Sequence, residues 1–182
     1  MPRFVALLRG VNIGKAKRVP MVELRALLID LGYTEVATLL NSGNAVFVAR
    51  TGSPAKHAVS IAAAISSRLK VEVPVIVKSA SELTAILSEN PIKAGADQHS
   101  RFLVAFVQDA SELSSLAAIA SLVVHPEEFA LGKHAAYLLC ARGILESKAG
   151  EALLGKVGKS ATSRNWATVL KLQALASDRS DT

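Results

Sequence analysis

The 182-residue chain is poor in several of the residues that usually announce a function. It has one cysteine, one tryptophan, two tyrosines and four histidines, and aromatic side chains make up only 4%. Each scarcity excludes something. A lone Cys140 cannot close an internal disulfide, which fits a reducing compartment and predicts a cytoplasmic protein. His57, His99, His125 and His134 show no paired helical spacing and no neighbouring cysteine pair. They read as surface or capping residues, and no metal and no cofactor is expected. No apolar run reaches membrane-spanning length, because Arg9 interrupts the first and Asp30 the second. No membrane partner is therefore expected. The start of the chain, Met1-Pro2-Arg3-Phe4, lacks the long apolar stretch of a secretory signal.

What is present is enough to fold. The hydrophobic fraction is 51% and the mean hydropathy +0.35, which supports a packed core. The net charge of +6 is unevenly placed. Residues 1–80 hold eleven Lys/Arg against four Asp/Glu, and residues 81–182 hold ten against eleven. The first part of the chain thus favours anionic partners.

The patterning predicts an α+β fold of two ferredoxin-like βαββαβ-type units in tandem, with antiparallel sheets covered by helices. Phe4–Leu8 has strand length, and Met21, Leu24, Leu27, Leu28 and Leu31 recur at helical spacing after Pro20. Two strands, 35–40 and 45–49, flank Asn41-Ser42-Gly43-Asn44, a strong hairpin signal. Ser53-Pro54 opens a helix with Ala58, Ile61, Ala62, Ile65 and Leu69 inward, and Val71–Val77 closes the first unit at about residue 80. Residues 81–100 read as a short helix and linker. The second unit, 101–182, begins with a strand at Phe102–Val107 and a helix bearing Leu113, Leu116, Ala117 and Ala120. A hairpin around Gly132-Lys133 and two helices follow, with no evident final strand. The last helix is expected to open at Thr162-Ser163, placing Arg164 and Asn165 in its first turn. Hydroxyl caps, a helix dipole and a guanidinium within one turn make an expected anion site. On that helix Trp166 reads as core, while Arg164, Thr168 and Lys171 are expected to stay wet.

Two other segments invite functional readings. Gly10-Val-Asn-Ile-Gly14-Lys15-Ala16 is not a Walker A loop, because three rather than four residues separate its glycines and no Ser/Thr follows the lysine. It remains a basic loop holding Arg9, Lys15, Lys17 and Arg18. Ser42–Val48 has Asn44 and Val46 where an RNA-recognition motif would set stacking aromatics, and Phe47 falls on the opposite face. Cys140 ends an apolar run and reads as a buried, inert thiol.

The segments Ala6–Gly14, Leu40–Phe47 and Thr162–Leu172 resemble the bacterial family DUF1697, domain of unknown function 1697. That family's first motif usually reads RGINVGG, and Lys15 stands here where its last glycine would be. The resemblance implies a compact α+β fold of ferredoxin-like units and no established activity. The polar motif residues are Arg9, Asn12, Ser42, Asn44, Thr162, Arg164, Asn165 and Thr168, joined by the basic Lys15. They include no carboxylate, imidazole or thiol, an inventory suited to hydrogen-bonding an oxyanion or a base edge. The leading expectation is a binding protein for a phosphate-bearing ligand, nucleic acid or nucleotide, in a basic cleft where the three motifs converge between the two units, and the expected partner is nucleic acid or a phosphorylated small molecule. The alternatives are an enzyme acting on a phosphorylated substrate by electrostatic stabilisation, and motifs that only knit the half-domains together.

Overall fold

The computed structural model describes residues 1–14 and 17–177. Lys15 therefore lies outside the described residues. The chain is a mixed α+β fold with two four-stranded antiparallel sheets, each carrying helices. It divides into two compact units, one formed by Met1–Ser81 with the described residues from Leu172 to Ser177, the other by Glu82–Lys171.

In the first unit, β1 (Arg3–Leu8) lies at the centre of the order β2-β3-β1-β4, with β2 at Thr34–Leu39, β3 at Asn44–Val48 and β4 at Val75–Ser79. Helices α1 (Met21–Asp30) and α2 (Pro54–Leu69) supply the apolar cover. Ser53 caps α2 by accepting from Lys56 N at 3.3 Å, and Pro54 occupies the first turn, where its missing N–H costs nothing. The buried stripe of α2 is His57, Ala58, Ile61 and Ile65, one helical face. Fully burying each isoleucine contributes roughly 1.5–3 kcal/mol. Phe4 and Phe47 face each other in the β1–β3 register and stack with ring centres 5.6 Å apart. Tyr33 stacks on Phe47 from its other neighbours, at 4.2 Å.

His57 departs from the surface role expected of it. It is 6% exposed, and its Nδ1 lies 2.8 Å from Tyr33 Oη inside this aromatic cluster. No local pattern signals this burial, because the ring partners Phe4, Phe47 and Tyr33 come from β1, β3 and the residue before β2, which only tertiary packing assembles.

In the second unit, β5 (Phe102–Val107) is central in the order β6-β7-β5-β8, with β6 at Glu128–Leu131, β7 at Ala135–Leu139 and β8 at Ala161–Asn165. The helices α3 (Ala80–Glu89) and α4 (Lys148–Leu154) precede and follow the hairpin strands, and α5 spans Trp166–Ser177. The expected α-helix after β5 is instead a 3₁₀ segment, Ala110–Leu122. Its buried residues, Leu113, Leu116 and Ile119, repeat every three positions, and three serine hydroxyls (Ser114, Ser115 and Ser121) bond carbonyls three residues back. A stripe at period three is what the tighter helix presents.

Strand β8 is the larger correction. Thr162–Asn165 pair with Leu103–Phe106 of β5, so the segment read as a helix opening is the final strand of the sheet. Pairing with β5 satisfies the backbone groups on its inner side, and helix formation starts at the residue after the motif's asparagine. Among the described residues no helix is long and apolar enough to cross a membrane.

Candidate functional site

The first two motifs meet at one end of the first sheet. After Leu8 the chain turns through Gly10, Asn12 and Gly14, all with φ between +57° and +67°. Glycine adopts that left-handed conformation freely and asparagine tolerates it better than most residues. Asn12 braces the loop with its whole amide: Nδ2 donates to Val19 O at 2.8 Å and to Asn41 O at 2.7 Å, while Oδ1 accepts from Val19 N at 2.9 Å. One side chain thus ties the β1–α1 loop both to its own end and to the β2–β3 turn.

Gly43 makes the same junction from the other side. Its carbonyl accepts from Leu8 N at 2.9 Å, and a Cβ there would lie 2.7 Å from Leu8 Cβ and 2.8 Å from Val11 Cγ2. With φ at +85° the position requires glycine twice over. Asn44 is fully buried, and its Nδ2 donates to Leu39 O and Ser42 Oγ, each at 2.9 Å. Asn44 thus serves the turn, with exposed Ser42 as one of its acceptors. Val46, on the same sheet face as Asn44, is also buried, so neither position can stack a base.

Between these braces lies a pocket of about 300 Å³ lined by Asn12, Gly14, Arg18, Pro20 and Asn41. Arg18 is exposed, and Pro20 is the N-cap residue of α1, which has no side-chain capping bond. Arg9 is half-buried at the end of β1, where burial lowers its affinity for the proton without neutralising it. None of the described lining residues carries a carboxylate, imidazole or thiol. The motif spacing revealed Asn12; Arg18 and Asn41 were recognisable only as a loop cation and a turn residue.

The third motif belongs to the second unit and has a different environment. Arg164 is 8% exposed, and its Nη1 donates to Thr162 Oγ1 at 3.0 Å and to Ser163 O at 2.9 Å. Burial draws its pKa down to about 10, still high enough to keep it charged at neutral pH. Thr168 is buried rather than wet, and its N–H donates to Asn165 Oδ1 at 2.9 Å, so Asn165 is the N-cap of α5. Trp166, expected in the core, is only half-buried and stacks on Phe102 at 5.1 Å.

One half-buried carboxylate with its own set of donors escaped sequence reasoning altogether. Glu89, at the end of α3, accepts from the backbone N–H groups of Lys133, His134 and Ala135 at 3.0–3.2 Å, and from Tyr137 Oη at 2.9 Å. His134 Nδ1 adds a contact at 2.9 Å. Burial alone would raise its pKa, but these donors outweigh it and hold the carboxyl below its ordinary value. A hairpin turn forty-four residues away supplies the donors, which no local pattern signals. Cys140 is fully buried with its thiol pKa raised by desolvation, an inert residue. Among the described residues, no three His, Cys, Asp or Glu side chains group as metal ligands.

The family model described as "Protein of unknown function (DUF1697)" matches residues 1–137. The chain belongs to the DUF1697 family. The matched range includes the loop and turn motifs and stops short of β8. Among curated proteins none matches the sequence. Among solved structures, the conserved bacterial protein SP0830 from Streptococcus pneumoniae is similar at 24% identity, with a TM-score of 0.79. The likeness covers 96% of this chain and 98% of that one, and at this identity it speaks for the fold alone.

Proposed function

We propose that this DUF1697 protein binds a phosphate-bearing ligand, nucleic acid or nucleotide, at the basic loop of its first unit. The observation that carries this reading is the pocket lined by Arg18, Asn41 and Asn12, whose side-chain amide is braced against the Asn41 carbonyl. The brace matters because a loop already held in its bound shape loses little entropy when an anion arrives. The uncapped start of α1 adds donors and the positive end of a helix dipole. The excess of seven positive charges in residues 1–80 draws anions toward this unit. A described lining without a carboxylate, imidazole or thiol favours binding over proton transfer.

The two strand orders, β2-β3-β1-β4 and β6-β7-β5-β8, support reading both units as ferredoxin-like folds in tandem.

Salt separates the ligand classes. Several phosphate contacts release counterions, so nucleic-acid affinity should fall steeply as salt rises, with little sequence preference. Arg18→Ala should lower the steepness of log affinity against log salt by about 1. A flat titration of oligonucleotides at low salt, with pure protein, excludes nucleic acid and leaves the small anion. A thermal-shift series with nucleotides and phosphorylated metabolites then decides, since ligands of the folded state raise its melting temperature. Absence of any shift, or shifts identical in the Arg18→Ala protein, removes the loop pocket from consideration.

A further inference from the structure

We propose that the second unit carries a mononucleotide site built on Trp166, independent of the loop pocket and standing whether or not that pocket takes an anion. A cavity of about 390 Å³ opens between the Asn90–Gly95 segment, Phe102 and Trp166, within the size range of small-ligand sites.

Its wall is a rigid aromatic surface. Phe102 opens the central strand β5 and is buried, and Trp166 is the first residue of α5, directly after β8. Their rings stack at 23°, which holds the indole from behind while Trp166 stays half-exposed. A platform on a strand and a capped helix start is more precisely held than one on a loop.

The rest of the lining is also held. Asn90 closes a tight turn on Ile92, donating to its carbonyl at 3.0 Å and accepting from its N–H at 2.9 Å, while Ile92 itself is buried. Gly95 N donates to Gln98 Oε1 at 3.2 Å. With Asn90 committed to the turn, the exposed Lys93 is the charged member of the described lining. A flat hydrophobic ring surface and one ammonium lining the same cavity match a flat aromatic ring joined to a single anionic group. A nucleobase with one phosphate has that chemistry, and an indole stacks on any base because every base has a π-face.

Trp166 is the sole tryptophan, so its emission reports this site and no other. The intact protein would be titrated with adenosine monophosphate, adenosine and ribose 5-phosphate while Trp166 fluorescence is recorded. The monophosphate should give a saturable change, adenosine the same change at about 10-fold weaker affinity, and ribose 5-phosphate none. Lys93→Ala, at an exposed position that should not disturb folding, should bring the monophosphate down to the affinity of adenosine. Arg18→Ala should leave the Trp166 response intact, which keeps this site's failure distinct from the loop pocket's. No saturable change with the monophosphate, an equal change with ribose 5-phosphate, or an unaltered affinity in the Lys93→Ala protein would each overturn the proposal.

Discussion

The loop end of the first sheet and the closing strand of the second carry the same kinds of side chain, an arginine, an asparagine and a hydroxyl, in opposite settings. Arg18 is exposed on a loop whose shape is held by Asn12, so its guanidinium is presented without being needed for folding. Arg164 sits in β8 at 8% exposure and donates to Thr162 and to the Ser163 carbonyl. The same chemistry is therefore open to solvent in one place and built into the sheet in the other, and the proposed function assigns recognition to the first. Burial decides which, because a desolvated guanidinium must be hydrogen-bonded to exist where it is.

That contrast breaks most directly at Arg164. Arg164→Ala should cost about 3–5 kcal/mol, since it empties a buried side-chain position and leaves the Thr162 hydroxyl and the Ser163 carbonyl without this donor. Denaturant melts beside wild type measure this, and a variant as stable as wild type would return Arg164 to the list of exposed ligand contacts. Gly43→Ala should cost about 2–4 kcal/mol, combining the left-handed backbone with overpacking against Leu8 and Val11. If it melts like wild type, the loop and turn are not locked together as described.

Acid should act in two stages. Burial lowers the pKa of His57, tempered by the Thr51 backbone, so the folded state prefers neutral imidazole. Its folded pKa lies below the unfolded one, so this stability is present above the ordinary 6.5 and is lost as pH falls from there. Glu89, also depressed, contributes above its ordinary 4.5 and loses that contribution as pH falls further. Glu89→Gln should cost about 1–3 kcal/mol near neutral pH and flatten only the lower stage. Stability curves of this variant and wild type across the acid range check the assignment.

The smallest effect is the sharpest comparison. Arg18→Ala should change stability by no more than about 0.5 kcal/mol while weakening anion binding. A large loss of stability would show that the loop arginine, like Arg164, is built into the fold.

Much of the fold was legible because periodicity reports burial. The α2 stripe, the β2–β3 hairpin and the β6–β7 hairpin follow from spacing and turn residues that act locally. Strand β8 was not legible. Ala-Thr-Ser-Arg-Asn contains two hydroxyl residues and an asparagine, which locally favour a helix cap, and only the unpaired edge of β5 draws them into a sheet. Asn165 does cap α5, one turn later than the Thr-Ser pair would have placed the cap. The 3₁₀ segment was hidden similarly, since Leu113 and Leu116 fit both helical periods and Ile119 alone separates them.

For the candidate sites the division is the same. The sequence by itself determined the basic bias of residues 1–80, the turn at Ser42-Gly43 and the residue types available for recognition, because composition and backbone preference need no partner. Only the tertiary structure decided that Asn12 is a brace, that Arg164 is buried, that Glu89 is held by a distant hairpin, and that Trp166 stands half-open beside Lys93. Each of those depends on residues far apart in the chain competing to desolvate the same polar group, a contest whose outcome no local window contains.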